Sequence, residues 1–220
     1  MKRIYLLACL FVCLSAVSAQ ETKPDAHSPY VFPAFQKGVV YFLNGDSSVR
    51  SMNYNGVTEE MVYLESGKML AIDHPETISR ILLGETTVFE PVNGKFCQRL
   101  ADYGNGLYVS FKYTVLPPSS PSAYGSDAST TASTNWSHLE GQSMLYELSL
   151  PSDYKLLKVK QYTLYVDQKP YKVNRSIVKQ LFPDKANSLK TYEKKHKLNL
   201  KDPEDVRTFI GICYGKMPTD

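Results

Sequence analysis

Apolar and polar residues alternate over much of this chain, and the period is two. The run Leu107–Val115 shows it best: Leu107, Val109, Phe111, Tyr113 and Val115 fall on one side, and Tyr108, Ser110, Lys112 and Thr114 on the other. Successive side chains of a β-strand point to opposite faces, so this pattern predicts a strand with one dry face. Shorter apolar-rich runs occupy Glu60–Glu65, Lys68–Asp73, Ile78–Leu83, Thr86–Val92, Lys95–Leu100, Met144–Leu150 and Tyr154–Val166. Two more flank Asn44-Gly45 in the stretch that begins at Gly38. Asn-Gly recurs at Asn55-Gly56, Asn93-Gly94 and Asn105-Gly106, and Ser66-Gly67 fills a similar place. Such pairs tolerate the positive φ angles of tight hairpin turns, so each predicts a reversal. His74-Pro75 predicts a further corner. Short strands with turns at regular spacing predict an antiparallel meander that forms a barrel or sandwich.

The period changes near position 174. Ser176 is placed to cap a helix carrying Ile177, Val178, Leu181 and Phe182, which Pro183 interrupts. A second helix is predicted over Asp184–Lys197, with Leu189, Tyr192 and His196 along one side. Asp202-Pro203-Glu204-Asp205 reads as a helix start: a cap, a proline at the first position, then acids near the positive end. Val206, Phe209, Ile210 and Cys213 form the buried stripe of that helix. The predicted class is therefore mainly β with C-terminal helices (α+β). Residues 20–36 form an extended arm, 37–173 an antiparallel β domain, and 174–216 a basic helical segment packed on it.

The first residues follow another logic. Met1-Lys2-Arg3 is a short positive start, Ile4–Val17 is apolar, and Val17-Ser18-Ala19 offers small residues for cleavage before Gln20. Residues 1–19 are thus expected to be a signal peptide. A lipoprotein box at Leu6-Leu7-Ala8-Cys9 would leave too short an apolar region for export. No later run approaches the roughly 20 apolar residues that a membrane helix needs. The mature chain is expected to be exported without a transmembrane segment, to the periplasm or the outer membrane. Removal of Cys9 and Cys13 with the signal leaves Cys97 and Cys213, which form a disulfide or stand as two buried thiols.

The formal charge of +3 conceals a polarised chain. Residues 20–153 hold 8 basic and 15 acidic side chains, whereas residues 155–201 hold 13 basic and 3 acidic ones. Lys190, Lys194 and Lys195 head the candidates for contact with an anionic surface, glycan or envelope protein. Interleaved tyrosines and lysines also suit nucleic acid, but export argues against that partner.

Asn53-Tyr54-Asn55, Met61-Val62-Tyr63-Leu64, Ile72-Asp73 and the stretch from Gly84 to Phe89 resemble a diffuse group of exported, uncharacterised β-rich envelope proteins of Bacteroidota bacteria. A lysine-bearing strand at Lys112, Tyr124-Gly125 and the lysine-rich tail are also similar to that group. The resemblance implies export and a β-rich fold. It supplies no catalytic residues.

Known catalytic patterns are missing from the sequence. His27, His74, His138 and His196 stand apart, with no His-Glu-x-x-His or Cys-x-x-Cys. There is no Gly-x-Ser-x-Gly and no phosphate-binding glycine loop. Glu59, Glu60, Glu65, Glu85 and Glu90 are available for glycosidase chemistry, but spacing nominates no pair. No metal, cofactor or catalytic residue is assigned. The Ser/Thr/Ala-rich stretch 116–141 is expected to be a flexible loop between two strands, with Tyr124 and Trp136 as possible ligand or partner contacts. The chain reads as an exported, non-enzymatic structural or binding protein of the cell envelope. An envelope glycan or peptide hydrolase and an anion-binding module using the lysine-rich tail are the alternatives.

Overall fold

A computed structural model describes residues 26–116, 146 and 150–216. The alternating runs become strands: β1 (Gln36–Phe42), β2 (Ser47–Asn55), β3 (Glu60–Glu65), β4 (Lys68–Ala71), β5 (Ile78–Leu83), β6 (Thr87–Val92), β7 (Lys95–Ala101), β8 (Leu107–Leu116), β9 (Lys155–Val166) and β10 (Lys169–Lys172). All ten lie in one antiparallel sheet, in the order β10-β9-β8-β7-β6-β5-β1-β2-β3-β4. Two meanders meet at β1, which pairs with β2 on one edge and β5 on the other. The short 3₁₀ turn Pro75–Thr77 brings the chain back from β4 to β5.

The sheet is mainly β and antiparallel as expected, but it neither closes into a barrel nor splits into two layers. β4 and β10 remain as edges. It curls instead, far enough to bring distant strands face to face. The Tyr54 ring of β2 stacks on Phe89 of β6 at 5.4 Å and meets Phe111 of β8 at 5.8 Å. Tyr113 N–H of β8 donates to the Gly56 carbonyl at 2.7 Å, so the β2–β3 turn touches β8 without extending the ladder.

Gly56 is needed for that approach, since a Cβ there would lie 2.6 Å from the Tyr113 ring. It does not adopt positive φ, unlike Asn93-Gly94 and Ser66-Gly67, where both residues of each pair do. Asn55-Gly56 is therefore a close-contact position, whereas those two pairs are tight primed turns.

The described part of the arm predicted over 20–36 lies beside β2 and reaches β1 through bends at 31–34. Tyr30 bridges Asn55, and Val31 N–H donates to Tyr54 O at 2.9 Å. Three C-terminal helices follow the sheet: α1 (Arg175–Leu181), α2 (Ala186–His196) and α3 (Pro203–Cys213). Asn174, two residues before the expected Ser176, caps α1, its Oδ1 accepting Ile177 N–H at 2.9 Å. Asp202 caps α3 as expected. Val206, Phe209 and Ile210 of α3 share one core with Phe89, Leu107 and Leu164. Together, arm and helices cover the concave side.

Strands β8 and β9 are paired from Leu107↔Leu164 to Leu116↔Lys155. The long connection therefore leaves and returns at one end of a hairpin. Leu116, expected to open the loop, is the last residue of β8. Most of the run Met144–Leu150, Tyr124 and Trp136 lie outside the described residues, as do positions 1–19. Tyr146 and Leu150 are not in strands. Tyr146 OH donates to Glu60 at 2.7 Å, and Leu150 N–H donates to His27 O at 3.0 Å. Among the described residues, no helix is long and apolar enough to cross a membrane.

Candidate functional site

The outward face of β6–β9 carries polar groups, as the solvated face of an antiparallel sheet does. Register decides which residues gather there. Glu90 pairs with Cys97, and Arg99 with Tyr108, while Tyr108 pairs with Thr163. These side chains share one face; Phe89, Gln98, Val109 and Tyr162 share the other. Between the β2–β3 turn and the tyrosines lies a cleft of about 270 Å³. Glu59, Lys95 and Cys97 line one part of it, and Tyr108, Ser110 and Tyr165 another.

Several polar and ring contacts join the walls of the cleft. Lys95 Nζ binds Glu59 Oε2 at 2.7 Å. The Tyr108 and Tyr165 rings meet edge to face at 5.8 Å, and Asn93 Nδ2 donates to Tyr165 OH at 3.3 Å. Beside them, Glu90 accepts from both Arg99 Nη1 at 2.7 Å and Tyr108 OH at 2.8 Å, and Arg99 also binds Asp102. Burial, then the bond to Glu90, pushes the Tyr108 phenol up to about 12, so it remains a neutral donor at physiological pH. Burial and the nearby Glu59 carboxylate push the Cys97 thiol up to about 11, against the pull of Lys95. A thiol so poised stays protonated and is a poor nucleophile.

Cys97 and Cys213 are both free. The possible disulfide is thus replaced by two thiols on opposite sides of the sheet. Cys97 lines the outer cleft, whereas Cys213 is buried on α3, its Sγ donating to Phe209 O at 3.5 Å. The strand parity that turns Cys97 outward prevents the two from meeting.

The expected carboxylates are dispersed, and four of the five are bound to a partner. Glu59 binds Lys95, Glu60 accepts from Tyr146, Glu65 meets Arg50 at 3.5 Å, and Glu90 holds Arg99 and Tyr108. Histidines are dispersed too: His27 Nδ1 lies 3.1 Å from Tyr154 O, His74 contacts Glu76, and His196 stacks on Tyr192. No group of three metal-ligating side chains forms among the described residues.

Lys190, Lys194 and Lys195 all lie on α2, exposed and outside every ion pair formed among the described residues. Arg175, by contrast, is tied to Glu193 at 2.6 Å. The structure does not gather the basic tail into one cluster with the cleft. The cleft itself was not visible in the sequence, although the outward positions of Leu107–Val115 named Tyr108 and Ser110 as a polar face. Known protein families, characterised proteins and solved structures were compared with the chain, and none matches it.

Proposed function

We propose that this chain is an exported, non-enzymatic binding protein of the cell envelope, and that its outer cleft recognises a glycan. The observation that carries the proposal is the cleft's combination of a partly exposed tyrosine with neighbouring hydroxyl and amide groups. Tyr165 offers a ring face for a sugar, while Ser110, Thr163 and Asn93 offer neutral hydrogen-bonding groups beside it. Its one lining carboxylate among the described residues, Glu59, is already bound to Lys95, an arrangement suited to holding a ligand more than to moving protons. Export is supported by the charged start, apolar run and small-residue site over Met1–Ala19.

Glycan-array binding followed by calorimetric titration tests the proposal. Tyr165→Ala is expected to weaken the best-bound glycan at least tenfold with little change in melting temperature. Unchanged affinity in that variant, or no glycan retained by the wild type, would remove the cleft from consideration.

A second reading rests on the lysines of α2 that lie outside every ion pair among the described residues. Lys190, Lys194 and Lys195 provide positive potential for an anionic polymer. Heparin retention across a salt series should fall sharply when all three become Glu. Retention that survives the change would exclude this face.

A further inference from the structure

The concave face holds a second recess, separate from the outer cleft. It has a volume of about 220 Å³ and lies between the N-terminal arm, strands β7–β9 and the start of α3. Val31 and Phe32 form one wall, Val109 and Phe111 the floor, and Pro203 another side. Val109 is 1% exposed and Phe111 4%, so the floor is dry. Three residues with polar groups join this apolar lining: Gln98, Lys160 and Tyr113, the last through its phenol.

Lys160 has a defined place. It pairs in register with Phe111, which turns its side chain to the concave side. It is exposed and belongs to no ion pair among the described residues. Lys158, two residues earlier on the same face, is differently placed: its ammonium sits 5.2 Å from the Tyr113 ring centroid. The start of α3 offers no competing anion site, because Asp202 Oδ1 already accepts Glu204 N–H at 2.9 Å and Asp205 N–H at 3.2 Å. An ammonium outside every ion pair among the described residues, at the rim of an apolar recess, is complementary to a molecule with one negative end and one greasy end.

We propose that this recess binds a small apolar carboxylate. The apolar body lies against Phe32, Val109 and Phe111, and the carboxylate meets Lys160 Nζ. The volume is below the roughly 300–1,000 Å³ of sites for drug-sized ligands, which restricts the ligand to a compact aromatic or short-chain acid. The proposal does not rest on the outer cleft, because the two recesses open on opposite faces of the sheet.

The test compares 3-phenylpropanoate with 3-phenylpropanol by titration calorimetry on the full mature chain. The acid is expected to bind at least tenfold more tightly than the alcohol. Lys160→Gln should abolish that preference, while Lys112→Gln, on the outward face, should preserve it. Val31→Trp, which fills the recess at its arm wall, should abolish binding of both probes. Equal binding of acid and alcohol, identical behaviour of the two lysine variants, or no saturable binding to the wild type would overturn the proposal. Should Val31→Trp fail to fold, the two lysine variants still decide it.

Discussion

Asn53 makes four hydrogen bonds from a position that is 1% exposed. Its Oδ1 accepts from Phe32 N–H and Tyr54 N–H, and its Nδ2 donates to Phe32 O and Ala34 O. One side chain therefore fastens the kink between the arm and β1. An alanine would take the partner from the buried Tyr54 N–H and from three part-buried backbone groups, at a cost of roughly 2–4 kcal/mol. The expected outcome for Asn53→Ala is a urea midpoint lowered accordingly. A change under about 0.5 kcal/mol would show that water replaces the lost partners. In the sequence Asn53-Tyr54-Asn55 stood out only as part of a resemblance, and the purpose of Asn53 depends on Phe32 and Ala34, about twenty residues away. Asn55 acts locally, its Oδ1 accepting Val57 N–H at 2.9 Å. That kind of role is easier to read from composition alone.

At the scale of elements, the strands with clear alternation were legible to within a residue or two. Strand β10 was not. Its turn, Asp167-Gln168, has both residues at positive φ, 49° and 63°, without a glycine or asparagine to announce it. Pro170 within β10 also argues against a strand by its missing N–H. The edge position resolves this, since β10 pairs only with β9. The turn is accordingly strained, and Asp167→Asn with Gln168→Gly is expected to stabilise the fold by about 1 kcal/mol. Thermal unfolding of the double variant checks it. No rise in melting temperature would mean that loss of the native side chains offsets the relief. The backbone N–H of Gln168 donates to Asn105 Oδ1, a bond that survives the change.

Across the whole molecule, burial of tyrosines and cysteines links stability to alkaline pH. Burial raises Tyr108, Tyr113 and Tyr162 to about 12 from an ordinary 10.0, with Glu90 adding to the effect at Tyr108 and Asp202 at Tyr162. It raises Cys97 and Cys213 to about 11 from 9.0. Tyr54 and Tyr146 move in the same direction, also chiefly through burial. Between the ordinary and the raised values, the folded chain keeps protons that the unfolded chain has lost. Stability from these groups is thus complete below about pH 9 and declines as pH rises toward 12. Melting temperature should be nearly level from pH 7 to 8.5 and then fall progressively. A flat profile to pH 11.5 would show that the core tyrosines titrate normally.

The sequence by itself determined the local features of this protein. Two-residue alternation specified most strands, Asn-Gly and Ser-Gly pairs marked reversals, and Asp202-Pro203 with Val206, Phe209 and Ile210 specified the last helix and its buried face. Each follows from steric or hydrogen-bonding demands that span only a few residues. Tertiary structure decided how far the sheet curls, whether its edges meet, and which distant residues become neighbours. It turned Cys97 away from Cys213, set Glu90 against Arg99 and Tyr108, and placed Lys160 beside Phe111. Those relations depend on strand register and sheet curvature. Both arise from contacts between segments far apart in the chain, where a shift of one residue would send every side chain to the opposite face.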